Sequence, residues 1–346
     1  MVFFVNGRFL TQHPTGVQFF AQEICNELQV NSTIVLLTPK TRLNKNYSLE
    51  NKNIKQIGIF KGHLWEQISL PWFLFWQKNW FLFNFCNTAP LFIRNQVVTV
   101  HDLAFMRKEK WFDPVFKMAY QFLIPNILKK SKVVVTVSET IKKEMEAYFQ
   151  LPSTKIGVLT NKISAALLTA SPTSPNSSII ENEYYLMVGS DNPRKNFAWV
   201  EKQFTTHFPT KTLVIVGSNH QSFSATEKID ASTILRISSA SANELAWLYK
   251  NAIAFINPSI YEGFGIPNIE AMYFNCPILC SDIPIFREVC EEAAIYFELN
   301  NSTNFIKKIN ELEKIDISDF EVLAKKRIEF YQNKNRVETL LKLIKK

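Results

Sequence analysis

The chain has 346 residues, 47% hydrophobic and 20% charged, with a formal net charge of +8 at pH 7. These are globular values that exclude wholesale disorder, and the length suits two cores of about 150–180 residues each. Cysteines at 25, 86, 276, 280 and 290 show neither paired spacing nor Cys-x-x-Cys, so they read as buried small hydrophobes in a reduced compartment.

From the N-terminus, Val2–Val5 is the first strand-like run. Gly7-Arg8 ends it before it is long enough for a secretory apolar segment, which predicts a cytoplasmic protein. Apolar β-prone runs follow at Ile34–Thr38 and Ile54–Ile59. Leu70–Phe85 is strongly aromatic but is cut by Gln77-Lys78-Asn79 and is too short to cross a bilayer. A core helix leading into the strand Phe81–Phe85 is favoured there over contact with a membrane interface. Val97–Val100 ends in His101-Asp102, where a lone histidine reads first as a structural residue. Phe112, Phe116, Tyr120, Leu123 and Ile127 recur at helical spacing, and lysines crowd the end of their helix. A packed helix whose cations meet its C-terminal dipole is favoured over docking on an anionic membrane. Val133–Val137 is a further strand, and Ser138 is placed to cap the helix that Glu139 opens. The Ser/Pro-rich stretch Ala170–Ser178 lacks periodicity and reads as a linker.

In the second half, strand-like runs recur at Tyr184–Val188, Leu213–Val216, Ala252–Ile256 and Pro277–Cys280. Such near-continuous apolar strands, separated by helix-length segments, predict two doubly wound α/β domains with parallel sheets covered on both faces. Gly189-Ser190 closes the first run, and Arg194-Lys195 follows at the end of a strand where ligands bind in such sheets. Two cations there suit a diphosphate, Arg as a fork and Lys as a point charge; a solvated charge pair is the bland alternative. The richest stretch is Asn257-Pro-Ser-Ile-Tyr-Glu262-Gly-Phe-Gly265-Ile-Pro-Asn-Ile-Glu270-Ala-Met272. It predicts a buried strand, a bend at Gly263-Phe264-Gly265 and a helix with Pro267 in its first turn. The N–H groups around Phe264–Ile266 suit phosphate, and Glu262 and Glu270, flanking them, suit the hydroxyls of one bound nucleotide sugar. Phe320–Leu343 reads as charged helix.

Glu262-x7-Glu270, followed by Cys276-Pro-Ile-Leu-Cys-Ser-Asp-Ile-Pro-Ile-Phe-Arg-Glu288, resembles the nucleotide-sugar site of retaining family-4 glycosyltransferases. Their fold, GT-B, has two Rossmann-like doubly wound domains facing a central cleft. The resemblance implies an acceptor-side domain over 1–168, a linker over 169–183 and a nucleotide-sugar domain over 184–325. A C-terminal helix, 326–346, is then expected to pack back on the first domain. Gly-Ser-x-x-Pro-Arg-Lys-Asn resembles the diphosphate loop, with Ser190 where some members carry Arg. The implied catalytic residues are His101, Glu262, Arg194 and Lys195. Gly16, Ser190, Gly263, Phe264, Gly265, Ile266 and Glu270 are the implied donor-binding residues.

The implied reaction is retaining transfer of a hexose or deoxyhexose from a nucleoside-diphosphate sugar to a glycan or polyprenyl-linked glycan. Capsule, O-antigen or lipopolysaccharide synthesis is the implied setting. No cofactor is expected, and the absence of Asp-x-Asp predicts no metal. The basic surface suits an anionic membrane, and no nucleic-acid module is present. A dinucleotide oxidoreductase lacks its Gly-x-Gly-x-x-Gly. The remaining rivals are a GT-B epimerase or hydrolase of nucleotide sugars and a non-catalytic glycolipid-binding subunit.

Overall fold

A computed structural model describes all residues except 32, 50–52, 110, 177, 191, 218–231, 313, 315–316 and 346. The chain divides into two compact units. Met1–Met106, Lys117–Asn161 and Asn335–Lys346 form the first; Arg107–Phe116 and Lys162–Lys334 form the second.

Among the described residues the first unit holds seven strands: β1 (Val2–Asn6), β2 (Ile34–Pro39), β3 (Ile54–Ile57), β4 (Trp80–Asn84), β5 (Gln96–Thr99), β6 (Val133–Thr136) and β7 (Ile156–Val158). They pair in parallel in the order β3-β2-β1-β4-β5-β6-β7. The central β5 and β6 are buried along their whole length, as apolar strands covered on both faces must be. Sequence order reverses between β1 and β4, where Val5 lies opposite Phe83. At the end of β1, Asn6 donates to the buried Glu66 at 2.7 Å, and Arg8 lies 3.5 Å from the same carboxylate. These bonds seat a helix running from Gly62 to Phe75, which contains one π-helical turn at Trp65–Ser69.

The second unit holds β8 (Tyr184–Val188), β9 (Thr212–Val216), β10 (Ile234–Ile237), β11 (Ala254–Asn257), β12 (Ile278–Ser281) and β13 (Ile295–Phe297). They too are parallel, in the order β10-β9-β8-β11-β12-β13, with the reversal between β8 and β11. Its core gathers Phe197, Val200 and Phe204 from the helix after β8 against Tyr185, Ile256 and Phe297 of the sheet. Both sheets have the doubly wound order read from the strand pattern.

Several local expectations need correction. The stretch expected as a linker, 169–183, belongs to the second unit: Ser171 and Thr173 bond the Asn243 side chain and carbonyl at 3.0 and 3.2 Å. Ser177 lies outside the described residues. The division falls at 161/162 instead, just after β7, because Ala165–Leu168 is a short helix of the second unit. The charged helix read over Phe320–Leu343 is divided in two, Ile317–Gln332 in the second unit and Arg336–Lys345 in the first. Arg336 anchors the latter, its Nη2 2.6 Å and its Nε 3.1 Å from the Glu27 carboxylate. Leu343 fills the space over Gly157 that any Cβ would occupy. The Leu70–Phe85 aromatics divide: Phe81 and Phe83 of β4 and Phe85 just past it are buried, whereas Trp72, Phe75 and Trp76 are exposed, on the side of the helix away from buried Leu70 and Leu74. Ser138 caps Glu139–Phe149 as expected, accepting from Ile141 N at 3.2 Å.

Candidate active site

The reversal between β8 and β11 is where an open parallel sheet leaves a crevice at its carboxyl edge, and the second-unit residues singled out from the sequence gather there. After β8 the chain turns at Gly189, whose carbonyl passes so close to Gly217 that a Cβ there would overlap it. A 3-10 turn, Pro193–Lys195, follows; its start is held by Asn192, whose Oδ1 accepts from Arg194 N at 3.1 Å. Asn196 then takes the left-handed conformation and opens the helix Phe197–His207. This tight reversal sends both cationic side chains toward the end of β11.

There they meet Glu262. Arg194 Nη1 donates to Glu262 Oε2 and to the Tyr261 carbonyl, each at 3.1 Å, and Lys195 Nζ bonds Oε1. Ser259 Oγ lies 3.1 Å from the same Oε1 and 2.8 Å from Asn257 Oδ1. Burial by itself pushes the Glu262 carboxyl up. The Lys195 and Arg194 charges, with the Lys195 and Ser259 hydrogen bonds, outweigh it and bring the group down to about 2. Glu262 is therefore ionised at neutral pH, and one carboxylate faces two cations.

Gly265 starts the next helix, Ile266–Tyr273, in the left-handed region at φ +89°, and a Cβ there would land 2.7 Å from the Phe286 ring. Pro267 lies in its first turn, as expected, and no side chain caps its N-terminus. Such an end stabilises an anion through its N–H groups and dipole. Phe264 is buried edge-on against Tyr331 at 5.1 Å. One turn in, Glu270 Oε2 accepts from the Tyr249 hydroxyl at 3.0 Å. Burial raises its carboxyl to about 7, against the opposing pull of the Tyr249 bond and the Lys195 charge. Part of its surface stays open to solvent. The two glutamates eight residues apart thus have opposite character, one held ionised by cations and one poised near neutrality.

The structure brings together Arg194, Lys195, Glu262 and, through the Lys195 field, Glu270; Ser190 and Gly263–Ile266 flank them in the same unit. His101 and Gly16 belong to the first unit. Gly16 is exposed at the start of the helix Gly16–Asn31. His101 is buried edge-on to Phe20 at 4.9 Å, its Nε2 2.8 Å from the Phe85 carbonyl. Burial holds it below its usual range, so the ring is neutral. A neutral ring bonded to a carbonyl through Nε2 carries its proton there, which leaves Nδ1 as an acceptor. Asp102 Oδ1 accepts from Ala104 N at 3.0 Å and shapes the loop.

Sequence reasoning missed Tyr249, Ser259 and Asn268. Asn268 accepts from Asn257 at 2.8 Å and locks strand to helix. Only Ser259 and Asn268 carried a local signal, by lying inside the motif.

Residues 173–342 match the model of the family described as glycosyl transferases group 1. That segment is just under half of the chain and holds the whole glycine bend and both of its glutamates. A curated relative, the O-antigen chain mannosyltransferase RfbU of Salmonella typhimurium, is 33% identical over 237 residues, covering 66% of this chain and 64% of that protein. The chain thus spans less than two thirds of that relative. Sucrose-phosphate synthase from Thermosynechococcus elongatus shares the fold with a TM-score of 0.69 at 13% identity, over 96% of this chain and 94% of that one. WaaG, a glycosyltransferase involved in lipopolysaccharide biosynthesis, does so with a TM-score of 0.65 at 13% identity, over 99% and 98%. The group 1 fold here is GT-B, with two Rossmann-like α/β units.

Proposed function

We propose that the protein is a retaining glycosyltransferase that moves a hexose from a nucleoside-diphosphate sugar to a hydroxyl of a glycan or polyprenyl-linked glycan. The likeness to an O-antigen mannosyltransferase supports mannose as the sugar and O-antigen synthesis as the setting, with the work done at the cytoplasmic membrane face. The observation that carries the reading is the convergence of Arg194 and Lys195 on Glu262 at the β8/β11 reversal, inside the family segment.

The chemistry is an exchange of counterions. Without ligand, Glu262 balances one of the two cations. An entering diphosphate carries more charge than one carboxylate and draws Arg194 and Lys195 to itself, freeing the Glu262 oxygens to accept from sugar hydroxyls. As the glycosidic bond breaks, the leaving diphosphate gains negative charge, and the two cations with the uncapped start of Ile266–Tyr273 stabilise it. Glu270 accepts from the ribose hydroxyls. Neutral His101 contributes an acceptor toward the donor sugar. The departing phosphate takes the acceptor's proton, so no metal and no separate base are required.

The test is a thermal-shift screen against UDP, GDP, ADP, TDP and CMP sugars, followed by nucleotide release with and without a lipid-linked glycan acceptor. Stabilisation by one nucleotide series and release only with acceptor support the transferase. Release without acceptor points to the hydrolase, and no shift with any nucleotide overturns the reading.

A further inference from the structure

The helix from Gly62 to Phe75 turns its two faces to different surroundings. Its inner face is a buried row of Trp65, Glu66, Ser69, Leu70 and Leu74, fixed by the bond from Trp65 Nε1 to the Ile57 carbonyl at 2.9 Å and by the Glu66 contacts to Asn6 and Arg8. The outer face carries Leu64, Ile68, Trp72, Phe75 and, just past its end, Trp76, all between 49% and 75% exposed. A surface helix ordinarily presents charges there, as Ile317–Gln332 does with Glu321, Lys325, Lys326 and Glu329. Here the aromatics contact one another instead: Trp76 lies 6.2 Å from Trp72 and 5.3 Å from Phe75, edge to face in both cases.

The patch continues onto neighbouring elements of the first unit. His63 meets Tyr120 of the helix Pro114–Lys130 at 6.1 Å, and that helix exposes Met118 and Phe122. Gln67 bonds the loop at Ala89 and Leu91 at 2.9 Å, beside exposed Phe92, over which Lys130 sits at 4.8 Å.

Charge decides the occupant. From Asn53 to Arg94 the acids amount to one, Glu66, and it is buried against Arg8; the cations are Lys55, Lys61, Lys78 and Arg94. The helix Pro114–Lys130 has no acid and adds Lys117, Lys129 and Lys130. An exposed tryptophan–phenylalanine face in two segments that carry seven cations and no exposed carboxylate, with Asp113 spent capping the helix Pro114–Lys130, complements a surface that is apolar below and anionic above.

We propose that this face docks the protein on an anionic lipid bilayer, Trp72, Phe75 and Trp76 entering the interface and the surrounding lysines pairing with headgroup phosphates. The docking deepens the proposed use of a lipid-linked acceptor. It needs no catalytic residue, so it stands or falls apart from the reaction.

The experiment is flotation of the full chain with phosphatidylcholine vesicles, with and without phosphatidylglycerol, alongside size-exclusion chromatography. Wild type floats with the anionic vesicles and less at high salt. The variant Trp72→Ser/Phe75→Ser/Trp76→Ser loses about a hundredfold in partitioning because it forfeits three apolar anchors. Lys61→Glu/Lys78→Glu loses about tenfold, on anionic vesicles only. Unchanged nucleotide-induced thermal shifts in these variants show that the second unit is intact, and quenching of wild-type tryptophan by brominated lipid tests insertion without any substitution. Wild type that does not float, a triple variant that floats equally well, or tryptophans untouched by brominated lipid overturns the proposal. So does a wild-type dimer that the triple variant dissolves without any vesicle binding, which would assign the face to a second copy.

Discussion

Glu262→Gln keeps the size of the side chain and removes its charge, so it isolates the ion cluster. The fall of the Glu262 carboxyl from its ordinary 4.5 to about 2 corresponds to roughly 3 kcal/mol favouring the ionised form in the folded state. The side chain is almost fully enclosed, so solvent screens little of this, and the variant removes the charge that both Lys195 and Arg194 bond. At about 2–4 °C per kcal/mol for a domain of this size, the second unit should melt roughly 6–12 °C lower at pH 7. The pH dependence follows from the direction of the shift. A depressed carboxyl stabilises the fold above its unfolded value and loses that stabilisation as pH falls through its folded one, so the gap between wild type and variant should close between about pH 4.5 and pH 2. A nucleoside diphosphate should also narrow the gap at pH 7, because it supplies the charge the variant lacks. Scanning calorimetry across pH, with and without nucleotide, measures all three. A variant that melts with wild type at pH 7, or a gap that nucleotide leaves untouched, would refute the counterion-exchange argument.

Glu270 titrates at about 7, and its ionised form accepts hydroxyl protons, so nucleotide affinity by calorimetry should rise as pH rises through 7. Glu270→Gln should remove that component, and Tyr249→Phe, which deletes a bond favouring the ionised form, should move the inflection upward. Arg194→Ala and Lys195→Ala should each lower kcat about 10²–10³-fold, since they act on charge that develops in the transition state. EDTA should leave wild-type turnover unchanged, and a metal-dependent rate would remove the cations from that role. Arg336→Ala strips the Glu27 pair from the C-terminal helix; Glu27 keeps some solvent, so the cost should be about 1–3 kcal/mol, read as a lower urea midpoint.

The strands that went unread share one position. Ile156–Val158, Ile234–Ile237 and Ile295–Phe297 are all edge strands of three or four residues, and β10 and β13 are only partly buried. An edge strand pairs on one side only, so it needs neither length nor a continuous apolar run. The central strands were legible because burial on both faces forces such a run. The opposed titration of Glu262 and Glu270 was not legible, since Lys195 lies 67 residues from Glu262 and Tyr249 lies 21 from Glu270.

By itself the sequence determined the doubly wound α/β class, the glycine bend with its helix start at 263–267 and the identity of the charged residues that gather there. Each rests on local rules: apolar runs for buried strands, glycine where a Cβ has no room, proline in a first helical turn. Tertiary structure alone decided which cation meets which carboxylate and that the chain crosses between units at 106/107, 116/117, 161/162 and 334/335. It also decided that the Leu70–Phe85 aromatics split between core and surface. A hydrophobic pattern specifies a face of a helix, but what covers that face depends on elements distant in sequence.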